Sequence, residues 1–152
     1  MGVRLATPED ITQAIEVGKR ILARSVYGAD VFDLQARKVM LRAINDKSMA
    51  LWVAEHKGKI VGFFMAIKEQ HWFSKKKYAG DMCFVMDEQH GNYAAPIIRR
   101  FIKWAKSDEK VVDIQLGITS GLDNDGRVGR MYQNLGFTHV GGVYAYLEKE
   151  NV

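Results

Sequence analysis

The stretch His90-Gly91-Asn92-Tyr93-Ala94-Ala95 sets a polar turn and two small residues directly before a run with helical apolar spacing: Ile97, Ile98, Phe101, Ile102, Trp104 and Ala105. The first N–H groups of a helix have no intrahelical acceptor, and the macrodipole adds about half a positive charge there. Small residues at Gly91, Ala94 and Ala95 let a ligand reach the backbone, so the turn has the chemistry of a phosphate site. The same residues also suit a plain helix start whose small side chains pack. Spacing leaves both readings open.

Other reactive side chains are scattered. Val128, Tyr132 and Leu135 share a helical face, which on pattern alone makes Tyr132 a packing residue. Cys83 is the single cysteine; as a nucleophile it needs an activating neighbour, and a small buried thiol is the plainer reading. His56, His71, His90 and His139 have no metal-ligand spacing. The segment GLDNDGRVGRMY has the look of a calcium loop. Gly121 stands at its first ligand position, however, and Tyr132 at its last, where glutamate is needed. No Walker sequence or complete GxGxxG appears. Ser74-Lys75-Lys76-Lys77-Tyr78 reads as a solvated hairpin turn before it reads as a nucleic-acid patch.

These residues need elements to position them. VRLA is a short alternating strand, and Thr7 as N-cap with Pro8 at the first helical position starts a helix running to about Arg24. A second helix spans about Asp33 to Ile44, with Phe32, Ala36, Val39 and Ala43 on one face. The period then changes to two. MALWVAEHKGKIVGFFMAIKE reads as a hairpin turning at Lys57-Gly58, and KYAGDMCFVM as a third strand in which Asp81 alternates with Cys83 and Val85. After the helix that opens at the polar turn, with Arg99, Arg100, Lys103 and Lys106 on its solvent face, VVDIQLGIT is a further strand. A helix from about Asn124 to Leu135 ends at Gly136, and FTHVGGVYAYLEK closes the chain in strands bent at Gly141-Gly142. The order β-α-α-β-β-β-α-β-α-β describes an α/β or α+β domain with one mixed sheet covered by helices.

Composition narrows the function classes. A chain of 152 residues suits one domain, here 1–152, and 47% apolar with 26% charged residues is an ordinary globular balance. One cysteine excludes an internal disulfide and favours a reducing, cytoplasmic setting. No apolar run approaches a membrane span, and the N-terminus has neither a secretory signal core nor a myristoylation pattern. The net charge of +4 suits an anionic ligand or nucleic acid, and charge alone does not choose between them.

The turn and the residues before it, MDEQHG, resemble the acyl-CoA-binding motif of the GCN5-related N-acetyltransferase (GNAT) family, Arg/Gln-x-x-Gly-x-Gly/Ala. His90 takes the Arg/Gln place, Tyr93 the first Gly place and Ala95 the final Gly/Ala place; Gly91 matches the Arg-Gly pair common there. Asp87 stands where the run-up has proline. DGRVGRMYQNLGF is similar to the family's closing motif, with Arg127, Tyr132, Gly136 and Phe137 in register, Asp125 in an Asn place and Val128 in an Ala place. The order of elements matches over nearly the whole chain. HGNYAAPIIRRFIKWA is most similar to acetyltransferase-like proteins of phages and prophages.

The resemblance implies a mixed, mostly antiparallel sheet with splayed central parallel strands, flanked by about four helices. It implies an acetyl-CoA-dependent N-acetyltransferase, with acetyl-CoA as co-substrate and an amine acceptor, small molecule or protein. A homodimer is left open, and no membrane or nucleic acid is expected. Phe84, Val85 and Met86 carry the pantetheine arm, and the backbone from His90 through Gly91, Asn92, Tyr93 and Ala94 to Ala95 meets the pyrophosphate, with Asp125 and Arg127 also on the cofactor side. The bulky Tyr93 must then point away from the phosphates. Tyr132 is the general acid for the departing thiolate. Asp81 is preferred over Glu69 and His71 as the base for the amine, and Tyr27, His71, Trp72 and Phe73 shape the acceptor pocket. The alternative is a non-catalytic acyl-CoA-binding or nucleic-acid-binding protein on a degenerate GNAT scaffold, because fold does not fix function.

Overall fold

The computed structural model describes residues 2–26, 31, 33–123 and 125–147. β1 (Gly2–Leu5) opens the chain, and a 3-10 turn at Pro8–Asp10 leads into α1 (Ile11–Leu22). Asp10 Oδ2 accepts from the Thr7 N–H at 2.8 Å and from its hydroxyl at 3.2 Å, so the turn closes on itself where Pro8 has no donor to lose. Arg4 grips the same buried carboxylate with bonds of 2.7 and 2.9 Å and holds it below the usual carboxylate range. This pair ties β1 to the start of α1.

α2 (Asp33–Asn45) follows; Phe32 and Tyr27 lie outside the described residues. β2 (Met49–His56) and β3 (Lys59–Gln70) form a hairpin whose turn residues Lys57 and Gly58 have φ of 51° and 79°. That left-handed pair matches the twist of the strands. Next come β4 (Lys77–Met86), a 3-10 turn at Glu88–Tyr93, α3 (Ala94–Lys106), β5 (Val111–Gln115) and α4 (Arg127–Asn134). The sheet runs β1-β2-β3-β4-β5, antiparallel except for the parallel pair β4–β5. A mixed, mostly antiparallel sheet with four helices is the fold class expected from the sequence. No described helix is long and apolar enough to cross a membrane.

Each face of the sheet buries its own core. Ile11, Ala14 and Ile15 of α1 and Met40 and Ala43 of α2 cover Leu51, Val53, Phe63 and Val85. Ile97, Ile98 and Phe101 of α3 and Tyr132 of α4 cover Trp52, Phe64 and Ala79 on the opposite face. Trp52 meets Phe64, Phe101 and Trp104 edge-on at 6.1, 6.5 and 5.7 Å, an arrangement aromatic quadrupoles favour. Each fully buried Phe here stabilises the fold by about 1.5–3 kcal/mol.

Boundaries differ from the sequence reading at several places: α1 stops at Leu22, short of Arg24, and β5 stops at Gln115, short of the strand expected over VVDIQLGIT. α4 starts at Arg127, because Asp123 Oδ1 and Oδ2 accept from the N–H groups of Val128 and Gly129 at 3.0 and 3.3 Å and fix the first turn there. The strands expected from Phe137 onward are absent among the described residues. Residues 138–147 have no regular structure, and Val140, Tyr144 and Tyr146 are 94%, 98% and 96% exposed. Alternating β-favouring residues make a strand only when an edge pairs with them, and Gly141-Gly142 offers no side chains to dock.

Candidate active site

The parallel pair β4–β5 is short. Its register runs from Lys77↔Val111 to Gly80↔Gln115, and there it stops. β4 continues for a further turn of pleat through Phe84, Val85 and Met86, while the chain after Gln115 leaves the sheet. The sheet therefore forks, and the fork leaves the β4 edge beyond Gly80 without a strand partner on that side among the described residues. Backbone donors and acceptors on such an edge can pair with an extended amide-bearing ligand.

Asp81, Gly117 and Tyr132 meet at the apex of the fork. The Gly117 N–H donates to Asp81 Oδ1 at 3.1 Å, and the Tyr132 hydroxyl donates to the Gly117 carbonyl at 3.2 Å. Burial raises the Asp81 carboxyl above its ordinary 3.8, a rise the Gly117 bond opposes. Burial, then the charges of Asp81 and Asp123, keep the Tyr132 phenol protonated well past its ordinary value.

Asp81 reaches this apex through a bulge that the sequence reading missed. In the β3–β4 register Met65 faces Cys83 and Ala66 faces Asp81, so Met82 is an extra residue. A bulge reverses the alternation that follows it. Cys83 and Val85 consequently join the core under α1 and α2, while Asp81 turns to the α3–α4 face beside Tyr132. The expected alternation of Asp81 with Cys83 and Val85 on one face is corrected. Cys83 itself is pushed up to about 11 by burial and by the Asp81 charge, which leaves it a thiol with little nucleophilic character.

The polar turn sits at the far end of β4. Gly62 faces Met86 across the β3–β4 ladder, and a Cβ there would lie 2.7 Å from the Val85 carbonyl oxygen, so only glycine lets the strands approach where β4 enters the turn. Asp87 opens the turn, accepting from the Gln89 N–H at 2.9 Å, and His90 departs from helical geometry at φ −122°, ψ 29°. Gly91 is exposed with open space around it. Tyr93 immediately precedes α3, and its hydroxyl lies 2.8 Å from His56 Nδ1, so its ring is drawn toward the end of β2. The α3 residues Arg99, Arg100, Lys103 and Lys106 are exposed or solvent-facing as expected, on the side away from the core.

The remaining candidates lie elsewhere. Glu69 accepts from the Tyr78 hydroxyl at 2.5 Å, and His71 Nε2 lies 2.9 Å from Asp113 Oδ2 with its ring stacked on Phe73. Together with the exposed Trp72 they occupy the β3–β4 hairpin tip, at the start of β4, whereas the fork opens at its middle. The geometry brings Asp81, and neither Glu69 nor His71, to Tyr132. Asp125 and Arg127 are joined to one another at 3.1 Å at the exposed start of α4. Residues that sequence reasoning missed are Gly117, Asp123, His56, Arg20 and Arg24. Arg20 of α1 and Arg24 just beyond its end reach Asp87 and Glu88 of the turn at 2.8 and 2.9 Å, across separations of 67 and 64 positions that no local pattern could reveal.

Residues 20–137 match the family model described as "Acetyltransferase (GNAT) family". No curated protein matches the chain in sequence. Among solved structures, the chain is similar to glucosamine-6-phosphate N-acetyltransferase from Arabidopsis thaliana, with TM-score 0.70, 14% identity and 96% and 97% of the two chains covered. It is also similar to an aminoglycoside antibiotic 6′-N-acetyltransferase from Acinetobacter haemolyticus, with TM-score 0.71, 15% identity and coverage of 99% and 100%. A third similar structure, from Clostridium acetobutylicum, is described as a predicted acetyltransferase with acetyl-CoA: TM-score 0.69, 18% identity, coverage 95% and 94%. At these identities the likeness is one of fold.

Proposed function

The chain belongs to the acetyltransferase (GNAT) family, and on that premise we propose that it is an N-acetyltransferase, moving an acetyl group from acetyl-CoA to a primary amine. The observation that carries this reading is the fork between β4 and β5 with Asp81 and Tyr132 both bonded to Gly117 at its apex. The free β4 edge at Phe84, Val85 and Met86 suits the amides of the pantetheine arm. The turn from His90 to Ala95, leading into α3, suits the diphosphate; Asp125 and Arg127, at the exposed start of α4, are assigned to the cofactor by the family motif alone.

Transfer needs an unprotonated amine, and at pH 7 removing the proton from an alkyl ammonium costs about 4–5 kcal/mol. Asp81 takes that proton in this reading; its half-buried, raised carboxyl is a better base than an exposed one. The amine nitrogen forms the C–N bond to the acetyl carbon and the C–S bond breaks. The thiolate receives its proton from the Tyr132 hydroxyl, which burial keeps available at neutral pH. The partly buried, unactivated Cys83 argues against an acyl-enzyme on sulfur. Its thiol also accords with a reducing, cytoplasmic setting.

A second reading is acyl-CoA binding without transfer. It is favoured by the Tyr132 ring, which is buried in the core between α4 and the sheet and so has a packing role that needs no chemistry. Thiol release from acetyl-CoA over a panel of amines tests both. Amine-dependent release supports transfer, saturable binding with no release over the panel supports the second reading, and no binding at millimolar acetyl-CoA sinks both.

A further inference from the structure

We infer that His56 is a positioning residue for the diphosphate turn, holding the Tyr93 ring off the turn's backbone so that the phosphates can approach. This rests on the acetyl-CoA reading above. Tyr93 is the last residue of the 3-10 turn and directly precedes Ala94, the first residue of α3. A tyrosine rooted there either lies over the first N–H groups of α3 or swings back toward the sheet. The structure has it swung back. Its hydroxyl is 2.8 Å from His56 Nδ1, the two rings meet edge-on at 5.8 Å, and the Tyr93 ring lies nearly parallel to that of His90 at 6.5 Å.

Of these three rings only that of His56 comes from outside the turn, 37 positions upstream. His56 is the last residue of β2, registered against Lys59 and followed at once by the tight Lys57-Gly58 turn, so the sheet fixes where its ring can be. His90 is a weaker anchor. Its buried Nδ1 makes no hydrogen bond among the described residues, lying 3.7 Å from Asp87 Oδ1, and its contacts with Tyr93 and with His56, at 4.7 Å, are ring against ring. The hydrogen bond that aims Tyr93 therefore comes from a residue pinned by a different element. That explains how a bulky side chain stands where a phosphate-binding turn calls for the smallest one.

Titration calorimetry with acetyl-CoA on four proteins tests this: the unaltered chain, His56→Phe, Tyr93→Gly and the double variant. Phe keeps a ring against His90 and removes only the polar atom, and His56→Gln, which retains a hydrogen-bonding atom, serves as a second variant if Phe does not fold. His56→Phe is expected to weaken binding about tenfold. Tyr93→Gly is expected to bind at least as well as the unaltered chain, and adding His56→Phe to it should change nothing further. If Gln is used, near-full affinity for His56→Gln is the expected result and a tenfold loss is the contrary one. A His56→Phe protein that binds as tightly as the unaltered chain overturns the inference, as does a loss that persists without Tyr93; both leave the acyl-CoA reading intact. An unaltered chain that binds no acetyl-CoA overturns that reading and this inference with it.

Discussion

Tyr132 is both a core residue and a hydroxyl at the fork, and a single atom separates the two roles. Its ring is buried with Val128, Leu135 and Phe137, while its oxygen reaches Gly117. Tyr132→Phe keeps the ring, so acetyl-CoA affinity should hold. Steady-state thiol release at saturating acetyl-CoA should fall on the order of 10²-fold, in kcat rather than KM. Unchanged turnover with chemistry rate-limiting removes the hydroxyl from the mechanism. Asp81 gives a prediction of opposite sign for stability. Its folded value lies above 3.8, so between 3.8 and that value the native state holds more protons than the unfolded chain, and stability falls as pH rises through the window. At pH 7 a partly desolvated charge is therefore being carried at a cost. Asp81→Asn keeps an acceptor for the Gly117 N–H and removes the charge; it should melt about 1–3 °C higher at pH 7, with the gain gone below pH ~3.5. The same variant should lose amine-dependent turnover. A lower melting point at pH 7 would mean the carboxylate is better satisfied than its surroundings indicate.

At the scale of elements, α4 ends in a motif that also sets Tyr132. The Phe137 N–H bonds to the Tyr132 carbonyl at 3.0 Å and the Gly136 N–H to the Gln133 carbonyl at 3.0 Å, with the Tyr132 and Phe137 rings 6.1 Å apart. This is a complete Schellman ending, and it needs Gly136 at φ 99°. Gly136→Ala should cost about 1–2 kcal/mol in urea denaturation with an unchanged m-value. The glycine was legible in the sequence because a left-handed C′ position has few tolerable residues. The bulge at Met82 was not, because a bulge is a relation between two strands and β4 read alone alternates cleanly. The start of α4 was misplaced for a similar reason: Asp123 caps it from outside the apolar pattern.

At the scale of the whole molecule, a ligand held by β4, the turn and α4 together binds only the folded chain. Acetyl-CoA at a hundred times its Kd should thus stabilise the protein by about 2.7 kcal/mol, read as a rise in melting temperature. Gly91→Glu should abolish most of that rise while Lys76→Glu preserves it. Both sites are exposed and accept the side chain without a clash, and only the first brings a carboxylate to the proposed diphosphate turn. Equal effects would mean the phosphates are held elsewhere. What the sequence determined alone is what depends on neighbours in the chain: four helices, five of the six strand positions it marked, the Lys57-Gly58 hairpin turn, the Gly136 stop and the two motifs that mark the family. Tertiary structure decided the rest. It chose the face on which Asp81 lies, drew Tyr93 to His56, brought Arg20 and Arg24 beside the turn, and left residues 138–147 without a strand partner in the described sheet. Periodicity and capping act over a few residues of one chain segment, whereas register, bulges and paired rings depend on which distant segments the folded core packs side by side.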